Sequence, residues 1–260
     1  MILLSNGGGV QTSYMILRNY KRYQDPHKAR VVMADVGAGD RDHAEYSLTY
    51  WILDNIIKPF CIEKNIKFDI RDDGESLWDL SMRKKMIPVR FPRWCTDKKK
   101  KRVIRRYMTK EMKAVRPTKK NPKGNIITLD IGFSFDEVKR LKVDLEEPHY
   151  VKSNYPLLDS KTSRQDCINW LNDNYPIIMN GNKIDWKEAK SGCWFCMFAK
   201  RSQLKQLTPF QQEEIKKFEQ NGARYPEIML KDNPIETYFK DDKQKTFDNE
   251  ESCDEGYCFV

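Results

Sequence analysis

Three consecutive glycines near the start of the chain, Gly7, Gly8 and Gly9, are the first residues whose spacing suggests chemistry. They stand between the apolar run MILL and the stretch VQTSYMIL, which has the pattern of a helix. A glycine-rich turn from a strand into a helix can present backbone N–H groups to a phosphate at the positive end of the helix. We therefore predict a phosphate-binding loop at this turn, with a plain tight turn as the alternative.

The two most common phosphate loops do not match this sequence. The glycines are not followed by the Gly-Lys-Ser/Thr of a Walker loop, and the later stretch GAGDRD lacks the third glycine of the dinucleotide fingerprint. The kind of phosphate ligand therefore has to be inferred from the residues that accompany the loop.

A second group of residues able to do chemistry is the pair Cys193 and Cys196 in SGCWFCMF. Two cysteines separated by two residues can bring both thiolates to one metal centre. The three histidines of the chain are not spaced as ligands, so a mixed cysteine and histidine zinc site is poorly supplied. Seven cysteines, an odd number, favour thiols or metal ligands over a disulfide framework.

The run DKKKKRVIRRY concentrates positive charge in a chain whose net charge is +9. On a helix, one face of this run collects four basic residues at i, i+3, i+4 and i+7, namely Lys98, Lys101, Arg102 and Arg105. Such a stripe, residues 98–106, can bind the phosphates of nucleic acid, or it can be a solvated face. Both interpretations stay open at this point.

The composition is that of a globular protein, because the 260 residues combine 33% charged with 12% aromatic residues. The start of the chain does not resemble a signal peptide, since MILL is followed at once by polar residues. No stretch is long enough to span a bilayer. We therefore expect a cytoplasmic protein without a membrane partner, and a homodimer is compatible with the sequence.

Alternating strand and helix patterns predict an α/β fold. Strand patterns stand at 2–5, 30–35, 66–71 and 125–133, and helical patterns at 12–24, 43–64 and 96–114. This alternation predicts an open parallel sheet sandwiched by helices. From residue 149 the pattern is irregular, with helices expected at 163–174, 200–207 and 209–221. Cys61 and Cys167 fall within apolar helical stretches and are expected to be buried core thiols.

Six blocks of the chain, in order, resemble one known family. They are SNGGGVQTS, MADVGAGDRDHAEY, FPRWCTDKKKKRVIRRY, IGFSFDEVKRL, YPLLDSKTSRQDCINWL and KSGCWFCMF. Together they are similar to the phosphoadenosine phosphosulfate (PAPS) reductase-like family of the adenine nucleotide α-hydrolase superfamily, the PP-loop ATP pyrophosphatases. The resemblance covers nearly the whole chain. It implies a nucleotide-binding PP-loop α/β domain at 1–148 and a C-terminal substrate and cysteine-cluster region at 149–260 packed on it.

The resemblance implies an ATP site with Mg²⁺. The expected cradle for the phosphates comprises Ser5, Gly7, Gly8, Gly9, Gln11, Thr12 and Ser13. Asp35 would contact the ribose or adenine, with a capped turn as the alternative. Thr12, Lys98 and Arg140 are the expected catalytic residues, of which Arg140 would contact an anion. A Cβ at Gly8 is expected to obstruct the phosphates while leaving the sheet intact.

The resemblance also supplies Cys95 as a third partner for Cys193 and Cys196, and the fourth ligand would be Cys253 or Cys258. Thiolates suit an iron–sulfur cluster or zinc. We favour a [4Fe–4S] cluster over Zn²⁺ and over plain thiols. The sulfurs of the first three cysteines are then expected to lie roughly under 7 Å apart.

The favoured function is cleavage of ATP between the α and β phosphates to adenylate an acceptor, followed by sulfur transfer to nucleic acid or a small molecule. A sulfonucleotide reductase is the first alternative. It is weakened because CDEGYCFV is not the C-terminal Glu-Cys-Gly-x-His of the reductases, and because Ser134 stands where many of them carry arginine. A non-catalytic nucleic-acid-binding protein on the same fold is the second alternative.

Overall fold

A computed structural model of the chain describes residues 1–42, 44–86, 88, 94–142, 148–189, 191–196 and 207–220, with the backbone alone at 139–142. Its centre is a five-stranded sheet in the order β3-β2-β1-β4-β5, and all four neighbouring pairs are parallel. The strands are β1 Ile2–Ser5, β2 Ala29–Ala34, β3 Phe68–Arg71, β4 Ile127–Asp130 and β5 Val151–Asn154. The predicted α/β fold with an open parallel sheet is confirmed.

Helices cover both faces of the sheet. They are α1 Val10–Arg18, α2 Ser47–Ile52, α3 Lys58–Glu63, α4 Leu77–Lys84, α5 Arg102–Lys110, α6 Pro156–Asp159, α7 Arg164–Asn174 and α8 Pro209–Gln220. Two π-helical segments, Leu53–Ile57 and Thr96–Lys101, precede α3 and α5. Short 3₁₀ helices occupy Tyr20–Arg22, Phe135–Lys142 and Trp186–Glu188.

Side chains alternate between two cores because neighbouring residues of a strand face opposite sides of the sheet. Leu3 and Val32 face the core that α5 covers with Val103, Ile104 and Tyr107. Leu4, Val31 and Met33 face the larger core, which holds α1, α7 and the tryptophans Trp78, Trp186 and Trp194. Burial of both faces explains why β1 and β2 have almost continuous apolar sequences.

The predicted helix at 43–64 begins at Ser47 and is interrupted by the π-helical segment Leu53–Ile57. Pro59, at the start of α3, has no N–H to donate to the preceding turn, and a wider turn accommodates that missing bond. The predicted helix at 12–24 likewise divides into α1 and the 3₁₀ turn Tyr20–Arg22. Residues 200–206 of the helix expected at 200–207 lie outside the described residues.

The sheet extends beyond residue 148, since β5 pairs with β4 in parallel register from Ile127 opposite Val151. The expected division at 148 therefore does not coincide with the edge of the sheet. The pattern analysis missed β5 because VKSN is mostly polar.

The pattern analysis also missed a hairpin formed by β6, Ile177–Met179, and β7, Asn182–Ile184. The turn of this hairpin, Asn180-Gly181, has positive φ at both residues, as an Asn-Gly hairpin turn requires.

None of the described helices has both the length and the apolar character that a membrane crossing needs.

Candidate functional site

The glycine loop, residues 6–9, connects the carboxyl end of β1 to α1. β1 pairs with β2 on one side and with β4 on the other, so the strand order reverses at this point. In open parallel sheets, ligands bind in the crevice outside the carboxyl ends of strands at such a reversal. Gly132, just after β4, closes the other side of the crevice, because a Cβ there would lie 3.0 Å from Thr12 Cγ2.

Asn6 holds the glycine loop in its conformation. Its backbone N–H donates to the Val32 carbonyl at 2.8 Å, which continues the pairing of β1 with β2. Its Oδ1 accepts hydrogen bonds from the Gly8 N–H and the Thr12 hydroxyl, each at 2.9 Å. The sequence reasoning did not select Asn6, although asparagine is a residue that often bonds to backbone two positions on in turns.

Among the residues that the structure describes, several hydrogen-bond donors at this end of α1 have no partner. The N-cap residue Gly9 has no side chain to cap the helix, so the first-turn N–H groups are available. The buried Asn6 Nδ2 and Ser13 Oγ have no hydrogen-bond partner within the described residues. Unpaired donors beside a positive helix end fit an anionic ligand. The donor set of the loop therefore fits an anionic group such as a phosphate.

Gly8 is required by the fold itself, contrary to the expectation that a Cβ there would leave the structure intact. Its φ is +74°, and a Cβ would lie 2.6 Å from Thr49 Cγ2. Gly9 has a φ of −81°, which other residues adopt, and its Cβ would meet Ser191 Oγ at 3.2 Å. Gly9 is therefore the better position at which to test ligand binding.

The other expected cradle residues have partners of their own. Gln11 Oε1 accepts from Arg164 at 2.8 Å, and Gln11 Nε2 donates to Glu137 Oε2 at 3.2 Å. The Thr12 hydroxyl also approaches the Gly9 carbonyl at 3.2 Å. Ser5 ends β1 opposite Val32. Contacts of these side chains with phosphate stay predictions.

Both carboxylate oxygens of Asp35 bond to the turn that follows β2. Oδ1 accepts from the Gly37 N–H at 3.0 Å and the Tyr50 hydroxyl at 2.7 Å, and Oδ2 accepts from the Gly39 N–H at 3.1 Å. Burial, with the nearby carboxylates Glu45 and Asp35, raises the pKa of the Tyr50 hydroxyl. This geometry is that of a capped turn, and contact of Asp35 with the nucleotide stays a prediction.

The Cys-x-x-Cys turn lies against two segments of the crevice. The Tyr46 N–H donates to the Gly192 carbonyl at 3.2 Å, and the Trp194 N–H donates to the Ala44 carbonyl at 3.4 Å. Within the turn, the Cys196 N–H donates to the Cys193 carbonyl at 3.0 Å. Because Ser191 is next to Gly9, the cysteine turn and the glycine loop are neighbours.

Cys193 lies within electrostatic range of the other two cysteines predicted as ligands. Its thiol pKa is raised well above the usual value by burial, and Glu45, Cys196 and Cys95 raise it further, whereas Lys100 lowers it. Among the described residues, however, no group of three or more Cys, His, Asp or Glu is arranged to hold a single metal ion. This finding does not support a zinc site at these residues, and the predicted sulfur separations stay untested.

The five described cysteines form no disulfide with one another. Cys61 and Cys167 are buried in the larger core, as predicted, and burial raises the pKa of each thiol to about 12. Cys253 and Cys258, the expected sources of a fourth ligand, lie outside the described residues.

Part of the predicted basic stripe is internal. Lys99 is only 1% exposed, and its ammonium donates to Asp73 Oδ1 at 2.7 Å and the Glu75 carbonyl at 2.6 Å. Lys100 donates to the buried Glu45 at 3.2 Å. A π-helical turn, Thr96–Lys101, covers the lysines and therefore alters the helical spacing assumed from the sequence.

Lys98 is the predicted catalytic lysine, and it is half-buried beside other cations. Its pKa is lowered, chiefly by the adjacent ammonium of Lys84 and to a smaller extent by Arg102 and Arg83. We call Lys84, Lys98, Lys101, Arg102 and Arg105 the basic patch. Crowding of like charges on a surface favours a polyanionic partner.

Two expectations concern the segment after β4. Arg140 lies in the 3₁₀ helix Phe135–Lys142, but its side chain is outside the described atoms, so its role stays a prediction. Ser134 is completely buried, and its N–H and hydroxyl bond to Glu137 Oε2 at 3.0 and 2.8 Å. An arginine would not fit this enclosed position, which is consistent with the departure from the reductases.

Comparisons with known proteins add little. No family model matches the chain, and no curated protein does. A solved structure with some likeness is the U34-tRNA thiolase NcsA from Methanococcus maripaludis with its [4Fe-4S] cluster. It is 16% identical, the match covers 92% of this chain and 70% of that one, and the TM-score is 0.37. A likeness of this degree does not assign an activity.

Proposed function

We propose that the protein binds ATP at the glycine loop and cleaves it between the α and β phosphates to adenylate an acceptor, which then receives sulfur. The observation that carries this proposal is the closeness of the glycine loop to the cysteine turn. A Cβ built on Gly9 would lie 3.2 Å from the Oγ of Ser191, which stands two residues before Cys193. A reactive phosphorus in the loop and a sulfur site at the cysteines would then share one cavity.

In the proposed reaction, an acceptor oxygen attacks the α phosphorus, the bond to the bridging oxygen breaks, and pyrophosphate leaves. The N–H groups of the loop and the cation Lys98 would stabilise the developing negative charge. Mg²⁺ would arrive with the phosphates, as it commonly does in nucleotide sites. A sulfur nucleophile would then displace AMP from the acceptor carbon, which completes the exchange of oxygen for sulfur.

Cys95, Cys193 and Cys196 would together offer an all-thiol donor set, which suits an iron–sulfur cluster. Three protein ligands would leave one position for Cys253, Cys258 or an incoming sulfur. A cluster held there would supply a metal site that binds the sulfur to be transferred.

We favour nucleic acid over a small molecule as the acceptor because the π-helical segment Thr96–Lys101, which carries part of the basic patch, directly follows Cys95. A phosphate backbone bound on the patch would lie beside the proposed sulfur site. The same surface would serve the alternative of a nucleic-acid-binding protein without turnover. ATP binding and AMP formation distinguish the two functions.

The test uses anaerobically purified protein, with ATP affinity measured by calorimetry and with iron and sulfide content measured separately. Gly9→Ala should weaken ATP binding at least about tenfold, because its Cβ would narrow the space between the loop and Ser191, where we propose that the phosphates bind. Thr109→Ala, at an exposed position of α5, is the control. Equal ATP affinity in wild type and Gly9→Ala would contradict the loop assignment.

In the same preparations, Cys95→Ala, Cys193→Ala and Cys196→Ala should each lose iron and sulfide. Cys167→Ala removes a buried core thiol and should retain them. Wild-type protein without iron would contradict the cluster while leaving the ATP site untouched, so that the two halves of the proposal fail separately.

A further inference from the structure

The side-chain amide of Asn6 lies at the base of the glycine loop, and its two ends have different surroundings. Oδ1 accepts two hydrogen bonds, from the Gly8 N–H and from the Thr12 hydroxyl. Nδ2 is buried and has no hydrogen-bond partner in the part of the chain that the structure describes. The residue is 1% exposed, so bulk solvent does not reach it.

The chemistry of the neighbours determines how this amide is oriented. The N–H of Gly8 can only donate, so it must face the amide oxygen. In the opposite orientation, two donor nitrogens would face each other at 2.9 Å. The conformation of the loop therefore determines which end of the amide is oxygen and which is nitrogen, and it is the nitrogen, Nδ2, that is left unpaired.

An amide nitrogen donates up to two hydrogen bonds and accepts none. A buried donor without an acceptor costs free energy, and such groups are rare in folded proteins. The acceptor that suits a donor beside the N-terminus of α1 is an anionic oxygen, because this end of a helix favours negative charge. The positive end of α1 would stabilise a neutral acceptor less than an anionic one.

We propose that Asn6 both shapes the loop through Oδ1 and donates a hydrogen bond from Nδ2 to a phosphate oxygen of the bound nucleotide. This inference rests on the proposed ATP binding and adds a binding residue outside the predicted cradle. Because Nδ2 is buried in this conformation, the atoms that cover it must move aside when the phosphate binds, while the Gly8 N–H keeps its bond to Oδ1.

Asn6→Asp tests the donor separately from the shape of the loop. A carboxylate keeps an acceptor for the Gly8 N–H and the Thr12 hydroxyl, but it replaces the donor by an oxygen that repels phosphate. We expect ATP affinity to fall about ten- to a hundredfold, the range for a hydrogen bond to a charged group. Asn19→Asp puts the same charge at the opposite end of α1 and should change affinity less than about twofold.

The outcomes separate this inference from the proposed function. Equal ATP affinity in wild type and Asn6→Asp would overturn the role of Asn6 and leave the ATP site standing. Absence of ATP binding by the wild type would overturn both.

A second measurement needs no variant and remains decisive if Asn6→Asp does not fold. In wild-type protein labelled with ¹⁵N-asparagine and ¹⁵N-glycine, the Asn6 side-chain amide signals should shift when inorganic pyrophosphate is added. Shifts at Gly8 and Gly9 without a shift of the Asn6 amide would overturn the inference.

Discussion

Replacing the buried Lys99 by methionine is expected to destabilise the fold, although the sequence places this lysine in a run that looks entirely solvated. Its ammonium joins the π-helical segment Thr96–Lys101 to the turn before α4 through Asp73 and the Glu75 carbonyl. Methionine is of similar length and carries no charge, so that Lys99→Met removes these bonds without opening a large cavity.

The expected loss of unfolding free energy depends on the carboxylates and the carbonyl that lose the Lys99 ammonium. Removing one partner of a buried ion pair costs about 3–5 kcal/mol when the other charge stays buried. Here the side chains of Asp73 and Glu75 are 26% and 33% exposed, so water can solvate them in part. The Glu75 carbonyl also loses its donor. We therefore expect the free energy of unfolding to fall by about 2–3 kcal/mol.

Urea-induced unfolding, followed by tryptophan fluorescence, measures this loss. Lys98→Met is the matched control, because Lys98 is the preceding residue, carries the same charge and is only half-buried. Its effect should stay within about 0.5 kcal/mol. A loss below about 1 kcal/mol for Lys99→Met would refute the argument that the internal pairs of Lys99 stabilise the segment after Cys95.

Two further predictions concern charge. Replacing Lys84 and Lys98 of the basic patch by glutamine should weaken RNA binding in a filter-binding assay. The slope of log affinity against log salt should become shallower by about 1.4–1.8. The double variant Lys119→Gln with Lys120→Gln removes the same charge elsewhere and should have little effect in the same assay. Burial and the hydrogen bond to Asp69 raise the pKa of Tyr107 from 10.0 to about 12. The unfolded chain therefore releases this proton first, and the stabilisation is complete below pH 10.0 and is lost as the pH rises towards about 12. Tyr107→Phe should lose less stability than wild type between these pH values in urea unfolding, and parallel losses would contradict the assigned role of the hydroxyl.

Local signals in the sequence were sufficient for the framework of the fold. The apolar runs at β1 and β2 are buried on both faces of the sheet, so their composition alone identifies them as central strands. β5 was not predicted because it is an edge strand, and an edge strand needs few apolar residues. The β6–β7 hairpin carried a recognisable signal, Asn180-Gly181 directly after the apolar run Ile177–Met179, which the pattern analysis did not use.

The candidate site was predictable only in part. The glycine triplet and the Cys-x-x-Cys pair each lie within one short stretch of sequence. Their residue types already indicate phosphate binding by the first and metal binding by the second. The partners of Gln11, by contrast, are Glu137 and Arg164, more than a hundred residues away. No pattern within a short window can reveal such pairings.

The sequence by itself therefore determined the alternation of strands and helices, the glycine turn at the end of β1 and the burial of Cys61 and Cys167, because each depends on neighbours along the chain. Only the tertiary structure decided that Lys99 is internal, that Ser191 borders Gly9 and that Asn6 keeps an unpaired donor. These properties depend on which surfaces meet across the sheet. Helix periodicity shows which residues share a face, but it does not show which carboxylate, loop or backbone group that face will meet.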